Sequence, residues 1–267
     1  MIKILNQTTL LIVALTLMSS CKQEVSTEPT PTTEPAIQEQ HEPLPSWNEG
    51  ESKQSIINYV ESVSDESSVD YIPEADRIAT FDNDGTLWSE QPAYFQLFFA
   101  IDRIKEMAPD HPEWKNEEPF RSVLADDLEG LSEQGLEGLL KVVMVSHSGM
   151  ESGEFKILVR DWASAAMHPT KKKLYKDLVY QPMLELLDYL KANGFKVYIV
   201  SGGGTDFMRA FVTEIYGIPT ERIIGSRIST EFKMKDGNPG IYRLPELEFI
   251  DDKEGKPLNI EKIIGKK

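Results

Sequence analysis

Arg77-Ile78-Ala79-Thr80-Phe81-Asp82-Asn83-Asp84-Gly85-Thr86 (RIATFDNDGT) runs from a short apolar stretch into two carboxylates two positions apart. Ile78 to Phe81 has the composition of a buried strand ending at Asp82, and Asp84-Gly85 signals a turn just beyond it. Asp-Gly alone is a common turn after a strand. A second acid two residues earlier adds a like charge that favours a raised pKa for one of the pair.

The surrounding pattern predicts how this strand is used. Residues 195–200 (FKVYIV) read as a second buried strand, preceded by a helix over 182–193 closed by Gly194. Ser201-Gly202-Gly203-Gly204 follows it, and 205–216 is helical again. This succession predicts an α/β fold with a doubly wound, parallel, Rossmann-like sheet. An amphipathic helix over 53–63 opens the domain, with Ile56, Ile57, Val60 and Val63 at helical spacing. Residues 92–107 predict a helix apolar on more than one side, with Pro92 in its first turn. Further helical patterns at 120–131, 136–145 and 155–167 carry no strand signal among them. Residues 89–176 are therefore expected to form a helical cap inserted into a core of residues 46–88 and 177–267. Residues 223–249 predict two extended stretches around a turn at Lys235-Asp236-Gly237, and 258–264 a short last helix. Ligands of open parallel sheets bind beyond the carboxyl ends of strands, which brings Asp82 and Ser201 to one cleft.

Composition narrows the partners. The formal charge of −16 repels polyphosphate backbones, so nucleic acid is not an expected partner. His41, His111, His147 and His168 are scattered, no two at ligand spacing, and surface or loop positions are expected for them. Residues 1–20 read as a secretory signal: Lys3, an apolar stretch too short to span a bilayer as a permanent helix, then Ser19-Ser20. Leu17-Met18-Ser19-Ser20-Cys21 resembles the bacterial lipobox, which implies lipidation of Cys21 and a place in the bacterial cell envelope, periplasmic or surface-facing, with the lipid as the membrane contact. Cys21 is the only cysteine, so no disulfide, cysteine metal site or second thiol is available. Residues 21–45, rich in Pro, Thr, Glu and Gln, predict a disordered tether.

A carboxylate can attack phosphorus to give an acyl phosphate once its charge is offset, and Mg²⁺ suits a site of few carboxylates and a phosphate. A second acid would protonate the leaving oxygen and later accept a proton from water. The run from Phe81 to Leu87 resembles the first motif of the haloacid dehalogenase superfamily in its phosphatase form, Asp-x-Asp-Gly-Thr. That resemblance implies Asp82 as nucleophile and metal ligand, and Asp84 as general acid/base giving the metal its backbone carbonyl. It also implies Thr86, Gly202 and Gly203 at the substrate, and Ser201 as the hydroxyl that binds a phosphoryl oxygen. Lys256, in Gly255-Lys256-Pro257, matches the third-motif lysine of phosphoserine phosphatase-like members, with Lys253 as runner-up. Lys171-Lys172-Lys173 is expected to be a solvated junction.

The pattern departs from the family at the fourth motif, an acidic pair expected after the lysine. Past Lys256 the sequence holds no acid except Glu261. Either the sequence stops one βα unit early, leaving the Asp82 strand at a sheet edge and the chain poorly stable and weak in activity, or Asp251-Asp252 serves as fourth motif. The second choice would demote Lys256 in favour of Lys233 or Lys235. The expected activity is Mg²⁺-dependent hydrolysis of a small phosphomonoester. The alternatives are phosphotransfer, or phosphate-ester binding by an envelope lipoprotein without turnover.

Overall fold

The computed structural model describes residues 42–266. The expected signal peptide, Cys21 and the tether up to residue 41 lie outside the described residues. The last residues assigned to the tether already pack on the domain: Leu44 is buried in the core, and Glu42 accepts from Lys53 at 3.0 Å.

β1 (Ile78–Phe81), β2 (Lys196–Gly204), β3 (Ile223–Lys235) and β4 (Asn238–Phe249) form one sheet in that order. β1 and β2 are parallel, with Phe81 opposite Ile199, and β3 runs parallel to β2. The turn at Asp236-Gly237 folds β4 back antiparallel on β3, so the sheet is parallel around the two strand ends of interest and antiparallel beyond them. β1 stands at the opposite edge of this sheet and is four residues long.

α1 (Glu51–Ser64) buries Val60 and Val63. α2 (Phe95–Met107) starts later than the sequence suggests: Pro92 lies before it, and Tyr94 is its extended cap. The single helix expected over 120–131 is two, α3 (Phe120–Leu124) and α4 (Leu128–Glu133). Asp126 between them has φ +59, and Asp127 caps α4 by accepting from the Gly130 N–H at 2.8 Å. α5 (Gly135–His147), α6 (Ser152–Ala165) and α7 (Gln181–Ala192) follow, and Gly194 with φ +76 leads from α7 into β2. The helix expected over 205–216 is likewise divided, into α8 (Thr205–Arg209) and α9 (Val212–Tyr216), by Phe211 at φ −146. α10 (Gly255–Asn259) continues into a π-helical turn, Ile260–Ile264.

The larger core cluster joins Val197 and Ile199 of β2 to Leu187 of α7, Phe207 of α8, Phe95 and Phe99 of α2, and Phe155 of α6. The helical block thus shares its core with the sheet through α2 and α6. The other face of α2 (Ala100, Ile101, Ile104) packs with Phe120, Leu131 and Val142 in a second cluster. Two buried faces explain why residues 92–107 are apolar on more than one side. Each fully buried aromatic there contributes about 1.5–3 kcal/mol relative to exposure. Among the described residues no helix is long and apolar enough to cross a membrane.

Candidate active site

Asn83, between the two acids, is the anchor of the first loop. It is fully buried, its carbonyl accepts from the N–H groups of Thr86, Leu87 and Trp88, and its Oδ1 accepts from the Tyr216 hydroxyl at 3.1 Å. With Asn83 turned into the core, Asp82 and Asp84 both line the cavity. Gly85 has φ +73, and a Cβ there would stand 2.7 Å from the Glu90 carboxyl carbon. The positive φ favours glycine in this turn, and the Glu90 carboxylate occupies the space that its missing Cβ leaves.

Asp82 Oδ2 accepts from Lys256 Nζ at 2.5 Å, and its Oδ1 accepts from the Asn83 N–H at 2.8 Å. Lys256 reaches this position from the start of α10. A Cβ on the preceding Gly255 would meet the Ile250 carbonyl at 2.2 Å, so that turn is open to glycine alone. Asp84 Oδ1 accepts from Trp88 Nε1–H at 2.8 Å. Burial pushes the Asp84 pKa up, the carboxylates of Asp82 and Glu90 add to that, and the Trp88 bond opposes it.

The second loop follows from an irregularity at the end of β2. Ser201 pairs with Gly225 and Gly204 with Ser226, so Gly202 and Gly203 bulge out of the ladder. Ser201 is buried, and its Oγ accepts from the Gly203 N–H at 3.1 Å. A Cβ on Gly203 would lie 3.4 Å from Ser201 Oγ and 3.5 Å from Asp84 Oδ2, so the two catalytic candidates converge on the space that glycine leaves open. The Gly204 N–H donates to Gln96 Oε1 at 2.7 Å. The amides of Gly203 and Gly204 are thus engaged by side chains.

Several residues at the site were not singled out in the sequence. Gln96 Nε2 lies 3.0 Å from His147 Nε2, and His147 Nδ1 lies 2.8 Å from Ser146 Oγ, which donates to the Val142 carbonyl at 2.7 Å. Burial foremost, then Arg243, pushes the His147 pKa down to about 3. Arg243 of β4, buried, donates through Nε to the His147 carbonyl at 2.6 Å, pairs with Asp206, and lies 4.0 Å over the Phe155 ring. His147, buried at the end of α5, departs from the surface or loop position expected for it; His168 does lie in a loop, but a buried one. The aromatic clusters around them, Phe99 and Phe155 against His147 and Phe98 against His168, account for that.

Asp251 resolves an opposition posed by the sequence. It is completely buried; its N–H donates to Ser226 Oγ at 2.9 Å, its Oδ1 accepts from Asn259 Nδ2 at 3.0 Å, and its Oδ2 has no partner among the described residues. Burial pushes its pKa up, while Lys256 and Arg227 draw it down and Asp82 raises it further. Lys256 and Asp251 thus belong to one neighbourhood, and accepting one does not remove the other. Lys233 pairs with Glu231 at 2.5 Å on the hairpin, and Lys235 stands exposed beside its turn. Lys253, the runner-up, is exposed in a turn with φ +47, and Lys171, Lys172 and Lys173 are exposed. Thr86 sits in the first loop's turn and does not line the cavity. Among the described residues no three acidic, histidine or cysteine side chains stand together as a ready metal cage. The buried Asp251 oxygen that has no partner among the described residues still suits Mg²⁺, which keeps several waters and takes few protein ligands.

Asp82, Asp84, Ser201, Gly202 and Gly203 open onto a cavity of about 730 Å³ bounded by α5 and the β3–β4 hairpin. Residues 79–244 match the family model of haloacid dehalogenase-like hydrolases. No curated protein matches the chain. Among solved structures, a conserved protein of unknown function from Anaerococcus prevotii DSM 20548 is 17% identical, over 79% of this chain and 75% of that one, with a TM-score of 0.45. A protein of unknown function from Bordetella pertussis Tohama I is 16% identical over 70% and 73%, at 0.46. A phosphoserine phosphohydrolase-like protein from Francisella tularensis subsp. tularensis SCHU S4 is 17% identical over 71% and 73%, at 0.35.

Proposed function

Because the chain belongs to the haloacid dehalogenase-like hydrolases, we propose that it is a Mg²⁺-assisted phosphatase acting on a small-molecule phosphomonoester through an aspartyl phosphate on Asp82. The observation that carries this reading is the pairing of Lys256 Nζ with Asp82 Oδ2 at 2.5 Å, beside an Asp84 whose pKa is raised. A carboxylate held by a cation is a nucleophile whose charge is offset against the incoming phosphate, and an adjacent acid with a raised pKa is better suited to carry a proton to the leaving group.

In the first step an Asp82 oxygen bonds to phosphorus while the ester P–O bond breaks, and the departing oxygen takes the Asp84 proton. In the second, water bonds to phosphorus and gives a proton to Asp84, and the bond from phosphorus to Asp82 breaks to release phosphate. Ser201 Oγ accepts from the Gly203 N–H, which leaves its own O–H to donate to a phosphoryl oxygen. Gly202 and Gly203 let the phosphate approach the backbone closely. Asp82, the backbone carbonyl of Asp84 and the partnerless oxygen of Asp251 are the groups that would hold Mg²⁺. When bound, the cation supplies neutralisation of the phosphoryl charge. Thr86 takes no part in this scheme.

The test is hydrolysis of a chromogenic phosphomonoester with Mg²⁺ and with chelator. Turnover is expected only with the cation, and Asp82→Asn is expected to abolish it. Undiminished turnover by Asp82→Asn, or none by the parent chain, sinks the reading.

We also infer, from the signal-like residues 1–20 and the lipobox-like approach to Cys21, that the domain is lipid-anchored in a bacterial envelope. Its test is fractionation: Cys21→Ser is expected to move the protein from the membrane to the soluble fraction, and unchanged partitioning counts against the anchor.

A further inference from the structure

Two different walls meet in the cavity. One carries Asp82, Asp84 and Ser201; the other is built from α5 and the hairpin and is largely apolar. Leu136, Leu140 and Met144 recur every fourth residue along α5 and so share one face of it. Ile228 of β3 stands across from Leu247 of β4, with Ile241 further along the same strand.

These six side chains belong to neither of the two packed core clusters. Leu136 is 65% exposed, Ile241 43% and Leu247 37%. Exposed apolar residues scattered singly are ordinary, but six converging on one concavity with a nucleophile at its edge are characteristic of a ligand site. The arginines of the cavity lining already have partners: Arg227 pairs with Glu248 and Arg243 with Asp206, both of the same lining, and Arg209 donates to the Thr220 carbonyl. Ser152, Lys156 and Thr230 are further polar points on the lining, and Glu90, Glu248 and Asp252 add acidic ones. A volume of about 730 Å³ is far more than a phosphate with a two- or three-carbon polar group fills.

Resting on the phosphatase reading above, we propose that the site selects phosphomonoesters whose organic group is bulky and apolar, an alkyl or aromatic body seated between α5 and the hairpin, over phosphorylated amino acids and sugars.

The probe is a homologous series of n-alkyl phosphates from ethyl to octyl, with O-phosphoserine as the polar comparison. kcat/KM is expected to rise about threefold per methylene until the wall is covered, and O-phosphoserine is expected to trail octyl phosphate by more than tenfold. A flat series, or preference for O-phosphoserine, overturns the proposal. The same series is titrated calorimetrically into full-length Asp82→Asn. Affinity that grows with chain length, with an increasingly negative heat-capacity change, supports the apolar seat even where turnover by the parent chain is absent and the phosphatase reading has failed. Affinity independent of chain length overturns the seat even where every ester is hydrolysed. Leu140→Asp and Ile228→Asp, each checked for a retained thermal transition, are expected to remove at least tenfold of the octyl-over-ethyl advantage. An undiminished advantage in both variants overturns the assignment to this wall.

Discussion

Gln96 Nε2 lies 3.0 Å from Nε2 of the buried His147, and the direction of that hydrogen bond follows from its neighbours. Ser146 Oγ gives its proton to the Val142 carbonyl, so it accepts from His147 Nδ1–H; His147 Nε2 then accepts from Gln96, whose Oε1 accepts from Gly204 N–H. The chain runs from the Ser201 loop to α5 and requires a neutral imidazole.

That requirement has a measurable sign. The His147 pKa is pushed from 6.5 to about 3 in the folded chain, so between these values the unfolded chain binds more protons. Stability present above pH 6.5 is lost as pH falls toward 3, by up to about 1.4 kcal/mol per pH unit. Asp84 and Asp251, whose pKa values are raised, act with the opposite sign. The difference between parent and His147→Gln isolates the histidine: Tm plotted against pH is expected to be flatter in the variant over this window. Parallel curves would reject the neutral-histidine account.

Lys256→Met removes the cation from Asp82 and is expected to lower kcat by about 10²–10³-fold. Lys256→Arg, which keeps the charge, is expected to recover part of it. Steady-state kinetics with a chromogenic ester decide, and equal rates in Met and Arg variants count against a charge role.

For Asp84→Asn the two readouts diverge. Loss of the proton donor is expected to lower kcat by about 10²–10⁴-fold. Tm at neutral pH is expected to rise, because a half-buried charge facing Asp82 and Glu90 has gone. A falling Tm would mean that the Trp88 bond to the carboxylate outweighs burial and repulsion.

Gly225→Ala tests the support of the second loop. The new Cβ would stand 2.4 Å from the Gly203 carbonyl and 3.1 Å from the Thr205 nitrogen, both backbone atoms that must shift. A loss of about 1–3 kcal/mol is expected, together with loss of turnover. At Gly202 the nearest contact would be 3.8 Å away, and Ala there is expected to leave Tm near the parent value in the same thermal scans.

Asp251→Asn keeps the shape of the side chain and removes its charge. Divalent-cation affinity, read by calorimetry in the absence of substrate, is expected to fall by at least about tenfold. Parent-like affinity would exclude Asp251 from the cation site.

The sequence carried the elements whose signals are local. β1 with its FDNDGT loop, β2 with Ser201 and the hairpin follow from short runs and turn residues, Lys256 follows from the family resemblance, and the structure brings Asp82, Asp84, Ser201 and Lys256 into one neighbourhood. What stayed hidden depends on contacts between distant positions. Gln96 is 51 residues from His147 and 108 from Gly204, and no local pattern links them. A polar Gln96 in the apolar run Phe95-Gln96-Leu97-Phe98-Phe99 was a usable sign. The helix breaks at Asp126 and Phe211 were likewise missed, because apolar periodicity persists across both. Asp251 and Lys256 looked like competitors under a one-dimensional motif order, whereas the fold brings both toward Asp82.

Arg243 has a consequence for anyone recombining this domain with a relative. It lies on the hairpin, yet it holds the carbonyl end of α5, the Asp206 carboxylate and the face of Phe155. A chimera that exchanges only the contiguous helical segment would inherit an arginine shaped for the helices it replaced. The exchangeable module is discontinuous, and its far boundary runs through β4.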